Sequence, residues 1–262
     1  MNSSSATDTT LDATRPDTLP PDQRVVDLTV AILRDYEIHL EPNDKVLDFG
    51  CGEGRHVYEF RDRGFDARGV DSGRYARLRG ERDAALFDVA HSTPTYQLPY
   101  DDAEFDFVHS TSVFEHVMDY ESALSEIARV LKQGGASLHV FPARWRPIEP
   151  HMYVPFGARV QHPAWFRLWA TLGIRNQFQQ GKEAKEVAEL NREYSENGIN
   201  YPTKREIVAV ASKFFASVQF AEASYIRHAP GRTRHLRPLL DVAPGLAGVY
   251  RAWHTRVLLL LK

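Results

Sequence analysis

Short apolar runs alternate along the first half of the chain with stretches whose apolar positions fall on one helical face. Val25, Val26, Leu28, Ile32 and Leu33 form the first such stripe and predict a helix over about 22–37 that covers a sheet edge. Lys45 to Gly50 then reads as a buried strand entering a tight turn, followed by a helix over 54–63 that Gly64 stops. Further strands are expected at 67–71, 84–88, 105–109 and 136–141, with a short basic helix at 73–82. In 120–132, Ala123, Leu124, Ile127, Val130 and Leu131 share a face, and Gly134-Gly135 are expected to cap that helix. Strands alternating with helices imply right-handed crossovers and an α/β fold with a mostly parallel sheet covered on both faces.

The alternation stops after about 142. Residues 143–202 carry Trp145, Trp165, Trp169, several prolines and a charged helical stretch from Lys182 to Tyr194, so they read as an inserted cap. Thr203 and Glu206 stand at capping-box spacing before a helix reaching Phe215. Ser217–Ser224 and Arg256–Leu261 read as two late strands, separated by a Pro- and Gly-rich stretch at 229–250.

Composition narrows the classes. With 262 residues, 43% hydrophobic and 26% charged, the chain suits a folded globular protein. A net charge of -3 gives no global basic excess for nucleic acid. The longest apolar run, Val257 to Leu261, is far below the roughly 20 residues of a membrane span, so no stable membrane insertion is expected. The single cysteine, Cys51, excludes an intrachain disulfide and a Cys-rich zinc site, and it fits a reducing, cytoplasmic location. Residues 1–21 are polar and end at Pro20-Pro21; they are expected to be a disordered leader before a single domain over 22–262.

The candidate chemistry centres on Asp48-Phe49-Gly50-Cys51-Gly52-Glu53-Gly54, where alternating glycines follow a strand and precede a helix. Glycine allows positive φ and close approach of a ligand, and the helix start offers unpaired N–H groups. The spacing is G-x-G-x-G, not the G-x-G-x-x-G of a dinucleotide fingerprint, which argues against a nicotinamide-dependent oxidoreductase. Asp48 suits a ligand ammonium group. Asp71, ending the second strand, can accept two hydrogen bonds from a ribose diol, and Asp88 ends the third strand where a polar group could meet an adenine edge. Together these describe a ligand with an amino acid end, a ribose and a purine.

Five ordered pieces carry a family likeness: VLDFGCGEG at 46–54, GVD at 69–71, FDVA at 87–90, LPYDDAEFDFVHSTSVFEHV at 98–117 and ARVLKQGG at 128–135. In these the chain resembles the class I S-adenosylmethionine-dependent methyltransferases, in particular the small-molecule and ubiquinone-pathway subgroup. The resemblance covers about 45–142 and extends more weakly to TKREIVAVASKFFASVQF and the terminal strand. It implies a Rossmann-like, doubly wound, mostly parallel seven-stranded sheet with an antiparallel last strand and a helical insertion after strand five. It also implies S-adenosyl-L-methionine as cofactor. Asp48, Phe49, Gly50, Cys51, Gly52 and Gly54 would shape the methionine pocket, with Cys51 a small turn residue rather than a nucleophile. Asp71 and Ser72 would hold the ribose, Asp88 and Val89 would border the adenine, and Ser110 would lie under the sulfonium end.

The resemblance places acceptor chemistry at the carboxyl ends of strands four and five. Two candidate bases stand there, His116 within Glu115-His116 and His151 within Glu149-Pro150-His151. His109 and His139 fall inside strands and read as core residues. Ser112 stands where some ubiquinone-pathway relatives have an extra acidic residue of a metal site, so no metal is expected. Tyr153, Trp165, Phe166 and Trp169 either stack on the acceptor or form the core of the cap. The pieces EPHMYVPF and LWATLGIRN resemble methyltransferases of bacterial surface-glycan or secondary-metabolite pathways. The expected activity is methyl transfer to a small-molecule or glycan acceptor, mainly at oxygen; the alternative is a non-catalytic scaffold that binds S-adenosylmethionine. The leucine-bearing 236–250 stretch either touches a membrane or a lipid-linked acceptor or, as the favoured expectation, packs against the sheet or a second subunit.

Overall fold

The computed structural model describes residues 25–73, 84–90 and 96–262. The leader at 1–21 and nearly all of the helix expected at 73–82 lie outside the described residues. Seven strands form one sheet: β1 Lys45–Phe49, β2 Asp66–Asp71, β3 Phe87–Val89, β4 Phe105–Thr111, β5 Leu131–Pro142, β6 Ser217–Phe220 and β7 Thr255–Leu261. Their order is β3-β2-β1-β4-β5-β7-β6. The first five run parallel, and β7 is antiparallel to both β5 and β6. This is the Rossmann-like sheet with an antiparallel last strand that the motif order implied.

The apolar runs are continuous because both faces of the sheet are buried. Val46, Phe107, Leu138, Val257 and Leu259 face one side, where Ile32, Leu33, Val57 and Phe60 pack from the helices Val25–Asp35 and Arg55–Arg61. Leu47, Val108, Leu258 and Leu260 face the other, against Leu124 and Ile127 of Tyr120–Val130 and Ile207 of Lys204–Ala211. Burying one such side chain contributes about 1.5–3 kcal/mol. Arg129 explains why LPYDD and ARVL travel together. Its guanidinium bonds Glu126, Asp102 and the carbonyls of Leu98 and Tyr100, pinning the turn before β4 to the helix after it.

The capping box forms as its spacing predicts: Thr203 Oγ1 accepts from Glu206 N at 3.2 Å, and Glu206 Oε2 accepts from Thr203 N at 2.6 Å. Thr203→Ala is expected to cost about 1 kcal/mol, read as a lower midpoint in urea at unchanged slope.

Several expected boundaries differ. The helix after β4 ends at Val130, and Gly134-Gly135 lie inside β5 rather than at a helix cap. They sit where the β4–β5 register shifts between Phe105 and Phe107; Gly134 has φ +79°, and a Cβ on Gly135 would lie 2.9 Å from the Lys132 carbonyl oxygen. Ser217–Ser224 is a strand only to Phe220, because the turn donates Ala221 N–H to Val257 O and a helix Glu222–His228 begins. The third strand starts at Phe87, after a 3₁₀ turn over Ala84–Leu86. The 229–250 stretch contains the helices Arg237–Val242 and most of Leu246–Trp253.

The inserted segment has its own core. Met152, Val154, Phe166, Ile199 and Tyr201 are buried together, with Trp165, Trp169 and Tyr194 packed on them. Phe166, Trp165 and Trp169 are therefore cap core, while Tyr153 stays exposed. No helix among the described residues is long and apolar enough to cross a membrane.

Candidate functional site

The bend after β1 is built from three left-handed glycines: Gly50 (φ +77°), Gly52 (φ +51°) and Gly54 (φ +89°). Gly50 N and Cys51 N donate to Val70 O, which ties the bend to the end of β2. Cys51 is buried, with its sulfur packed so close to Gly69 that no side chain fits there. A Cβ on Gly54 would strike the Phe87 ring at 2.4 Å, and one on Gly50 would lie 2.3 Å from Val113 Cγ2; beside Gly52 there is open space. Gly50→Ala is expected to cost about 2–5 kcal/mol, combining left-handed strain of about 1–2 with overpacking of about 1–3. Scanning calorimetry should show a melting temperature lower by roughly 5–15 °C, partly recovered by adding Val113→Ala.

Asp71 closes the bend from the neighbouring strand. Its Oδ2 accepts from Gly52 N at 3.0 Å, and its Oδ1 from Ser72 Oγ at 3.2 Å. It pairs in register with Val89, which is exposed at the end of β3. Phe49 is buried in the apolar core beneath, edge-on to Phe114. The other expected cofactor residues are engaged within the protein. Asp88 Oδ2 is bonded by Arg68 Nη2 at 2.7 Å and by the Tyr100 hydroxyl at 3.0 Å. Ser110 is buried, with Oγ 2.8 Å from His139 Nδ1. Asp48 is enclosed too: Oδ1 lies 3.3 Å from His109 Nδ1, and Oδ2, 3.8 Å from His56 Nδ1, has no hydrogen-bond partner. Burial, the largest influence on His56, holds its pKa below the usual histidine value.

The bend fits a nucleoside, but Asp48, expected to meet a ligand ammonium group, is buried between His56 and His109. The open space at Gly52 and the left-handed backbone form a cradle that side chains would fill, and Asp71 stands partly exposed beside it. Were such a ligand bound, Asp71, Gly52 and Val89 would border it, whereas the side chains of Asp88 and Ser110 are already engaged by Arg68, Tyr100 and His139.

A second cluster forms where β4 and β5 end. Glu149 is fully buried: Oε1 accepts from His151 Nδ1 at 2.7 Å and from the Tyr201 hydroxyl at 3.2 Å, and Oε2 accepts from the N–H groups of His151 and Met152 at 2.8 and 2.7 Å. Burial disfavours the charged form of His151, but the hydrogen bond and charge of Glu149, joined by the charge of Glu115, outweigh it and raise its pKa. For Glu149 burial is likewise the largest influence, outweighed by His151 and the two backbone donors, so its pKa is lowered. Glu115 lies buried alongside with both oxygens unbonded, and burial pushes its carboxyl up to about 7. His116 places its ring 4.7 Å from that of His151 and donates Nδ1–H to Gly198 O at 2.7 Å. Glu115, His116 and His151 each offer one ligand atom within 4.8 Å of the others, as do Asp48, His56 and His109, so either group could hold a metal ion.

Both expected histidines therefore meet in one cluster. Tyr201, His56 and Arg68 were not singled out from the sequence. Tyr201 reaches Glu149 across 52 residues, a pairing that no local pattern carries.

Residues 47–138 match a family model described as "Methyltransferase domain". Among curated proteins, the chain is 29% identical over 133 residues to malonyl-[acyl-carrier protein] O-methyltransferase of Erwinia billingiae, covering 44% of this chain and 50% of that protein. It is 30% identical over 119 residues to ubiquinone biosynthesis O-methyltransferase of Aliivibrio fischeri, with the same coverage. It is 33% identical over 110 residues to methyltransferase GfsG of Streptomyces halstedii, covering 38% of each. The chain thus spans half or less of the length of these relatives. Among solved structures, it aligns at TM-score 0.49 and 15% identity with Haemonchus contortus phosphoethanolamine N-methyltransferase 2 in complex with S-adenosyl-L-methionine, covering 90% of this chain and 52% of that one. It aligns equally at 0.49 and 17% identity with YcgJ of Bacillus subtilis, covering 89% and 98%.

Proposed function

We propose that this chain, whose residues 47–138 match a methyltransferase-domain model, moves a methyl group from S-adenosylmethionine to a hydroxyl of a small-molecule or glycan acceptor. The reading rests on the Glu149–His151 pair at the end of β5. When bound, the cofactor supplies an electrophilic methyl on a positively charged sulfur, so the protein's work is to position the acceptor, exclude water and remove a proton. An acceptor hydroxyl benefits from a base, whereas an amine or stabilised carbanion needs little help.

His151 meets the requirements of that base. Glu149 accepts from Nδ1, which fixes the tautomer that leaves the Nε2 lone pair for an acceptor proton. The carboxylate then stabilises the imidazolium, and its own four hydrogen bonds hold it in place. Glu115, its carboxyl pushed up to about 7 by burial, adds negative charge beside the same ring once it ionises. Val113, which fills the space over Gly50, lies two residues before Glu115 and links the acceptor wall to the glycine bend. His116 commits Nδ1 to Gly198 and orients the loop against His151. The cap supplies the remaining acceptor contacts.

Titration calorimetry with S-adenosylmethionine and S-adenosylhomocysteine tests the cofactor assignment, and absence of heat at high micromolar ligand would end it. Labelled-methyl transfer to cell extract, followed by mass spectrometry of the product, tests the acceptor atom. A product methylated at nitrogen or carbon would overturn the oxygen assignment while leaving the cofactor assignment intact.

A further inference from the structure

Charge is distributed unevenly along the chain. Residues 223–262 hold seven Lys and Arg against one acidic residue, Asp241, although the whole protein has a net charge of -3. Arg251 is spent on the buried Glu222, and Arg256 is buried against Pro202. Arg227, Arg232, Arg234 and Arg237 are exposed, and none has a carboxylate partner among the described residues.

Large apolar side chains stand out from the same excursion between β6 and β7. Ile226, Leu240 and Tyr250 anchor it from within. Outside, the helix Arg237–Val242 exposes Leu239 and Val242, three apart, and Leu246–Trp253 exposes Val249 and Trp253, four apart. Each pair lies on one helix face. The surface continues through Trp253 to Trp145, their rings 5.9 Å apart, and Arg159 sits 5.3 Å from the Trp145 ring. Trp145 N–H donates to Ala252 O, which fixes this junction.

We propose that residues 227–253, with Trp145 and Arg159, form a docking surface for an anionic phospholipid bilayer. Exposed arginines beside aliphatic side chains and tryptophans are the composition of a segment that lies in the headgroup layer. A nucleic acid would be served by the arginines but gives Leu239 and Val242 nothing to bury against. A second copy of the chain would bring four arginines against four. The Glu149–His151 cluster adjoins this face: Trp145 stands four residues before Glu149, and Phe156, whose N–H donates to Pro147 O, meets the Trp253 ring at 6.4 Å. A docked protein therefore holds that cluster beside the bilayer.

Co-sedimentation with vesicles of equal phosphatidylglycerol and phosphatidylcholine tests this directly. The full chain is expected to bind them, to ignore pure phosphatidylcholine, and to show a blue-shifted tryptophan emission on binding. Arg232→Ala/Arg234→Ala should weaken binding about twenty-five-fold, about fivefold for each arginine. Leu239→Ser/Val242→Ser should weaken it as well. Both variants should retain the S-adenosylmethionine affinity of the parent, which shows that they are folded and separates this result from that of the methyltransferase reading. Three outcomes would overturn the proposal: no preference for anionic vesicles; binding that needs the arginines but not Leu239 and Val242, matched by equal affinity for an oligonucleotide; or a dimer in solution that Leu239→Ser dissolves.

Discussion

Asp71→Ala is expected to weaken S-adenosylmethionine and S-adenosylhomocysteine binding by about a hundredfold or more in titration calorimetry. A hydrogen bond to a charged acceptor contributes about 1.5–3 kcal/mol, so two from a ribose diol contribute about 3–6 kcal/mol. The substitution also removes the acceptor of Gly52 N–H, which tethers the middle of the glycine bend to β2. Asp71→Asn keeps one side-chain oxygen and loses the charge, so a smaller loss, on the order of tenfold, is expected. Asp71 is partly exposed, so neither variant should move the melting temperature as far as Gly50→Ala does. An Asp71→Ala affinity close to that of the parent would remove Asp71 from the cofactor site.

His151→Ala is expected to lower the turnover number about 10²–10⁴-fold, the usual contribution of a general base, with cofactor affinity unchanged. Proton removal requires neutral His151, so turnover should rise with pH through an ionisation above the ordinary histidine value of 6.5. Stability runs the other way. Because the folded pKa of His151 is raised, its pairing with Glu149 stabilises fully below 6.5 and the contribution fades as pH climbs through the folded value. Glu149, whose folded pKa is lowered, contributes above 4.5 and loses that contribution as pH falls through its folded value. The protein should therefore gain turnover over the pH range in which this ion pair weakens. Glu149→Gln should flatten the upper part of the profile, because the histidine loses the carboxylate that raises its pKa. It should also destabilise the chain, since an amide presents N–H groups to the donors of His151 and Met152. A profile that is the same in parent and Glu149→Gln would place the base elsewhere.

What could be read from the chain alone followed the range of its interactions. The β1 bend, the Asp71 strand end and the Thr203 cap are local, and glycine spacing, strand length and capping pattern carry them directly. The face of Tyr120–Val130 was visible because Leu124 and Ile127 repeat at helical spacing. Its end was not, because a Gly-Gly pair serves a helix cap and a strand irregularity equally well, and the pairing with β4 decided between them. Glu222 reads as an ordinary strand residue until Val257 and Arg251 are brought to its two oxygens. The same limit applies to the Glu149 cluster. Glu149-Pro150-His151 stood out in sequence, yet Tyr201 and the Gly198 carbonyl arrive from about 50 to 80 residues away. Asp48 was expected to meet a ligand ammonium group, but His56 of the following helix and His109 of β4 enclose it.

The far end of the cap is stitched to the loop after β4. Asn200 N–H donates to Glu115 O, Asn200 Nδ2 donates to the carbonyls of Val117 and Met118, and His116 donates to Gly198 O. A graft that swaps residues 143–202 alone would disturb all of these at once, at the half-buried donors of both His116 and Asn200. The inserted segment is thus not a free-standing cassette: its end and the 115–118 loop hold each other's backbone in place, so a workable graft has to carry both segments together.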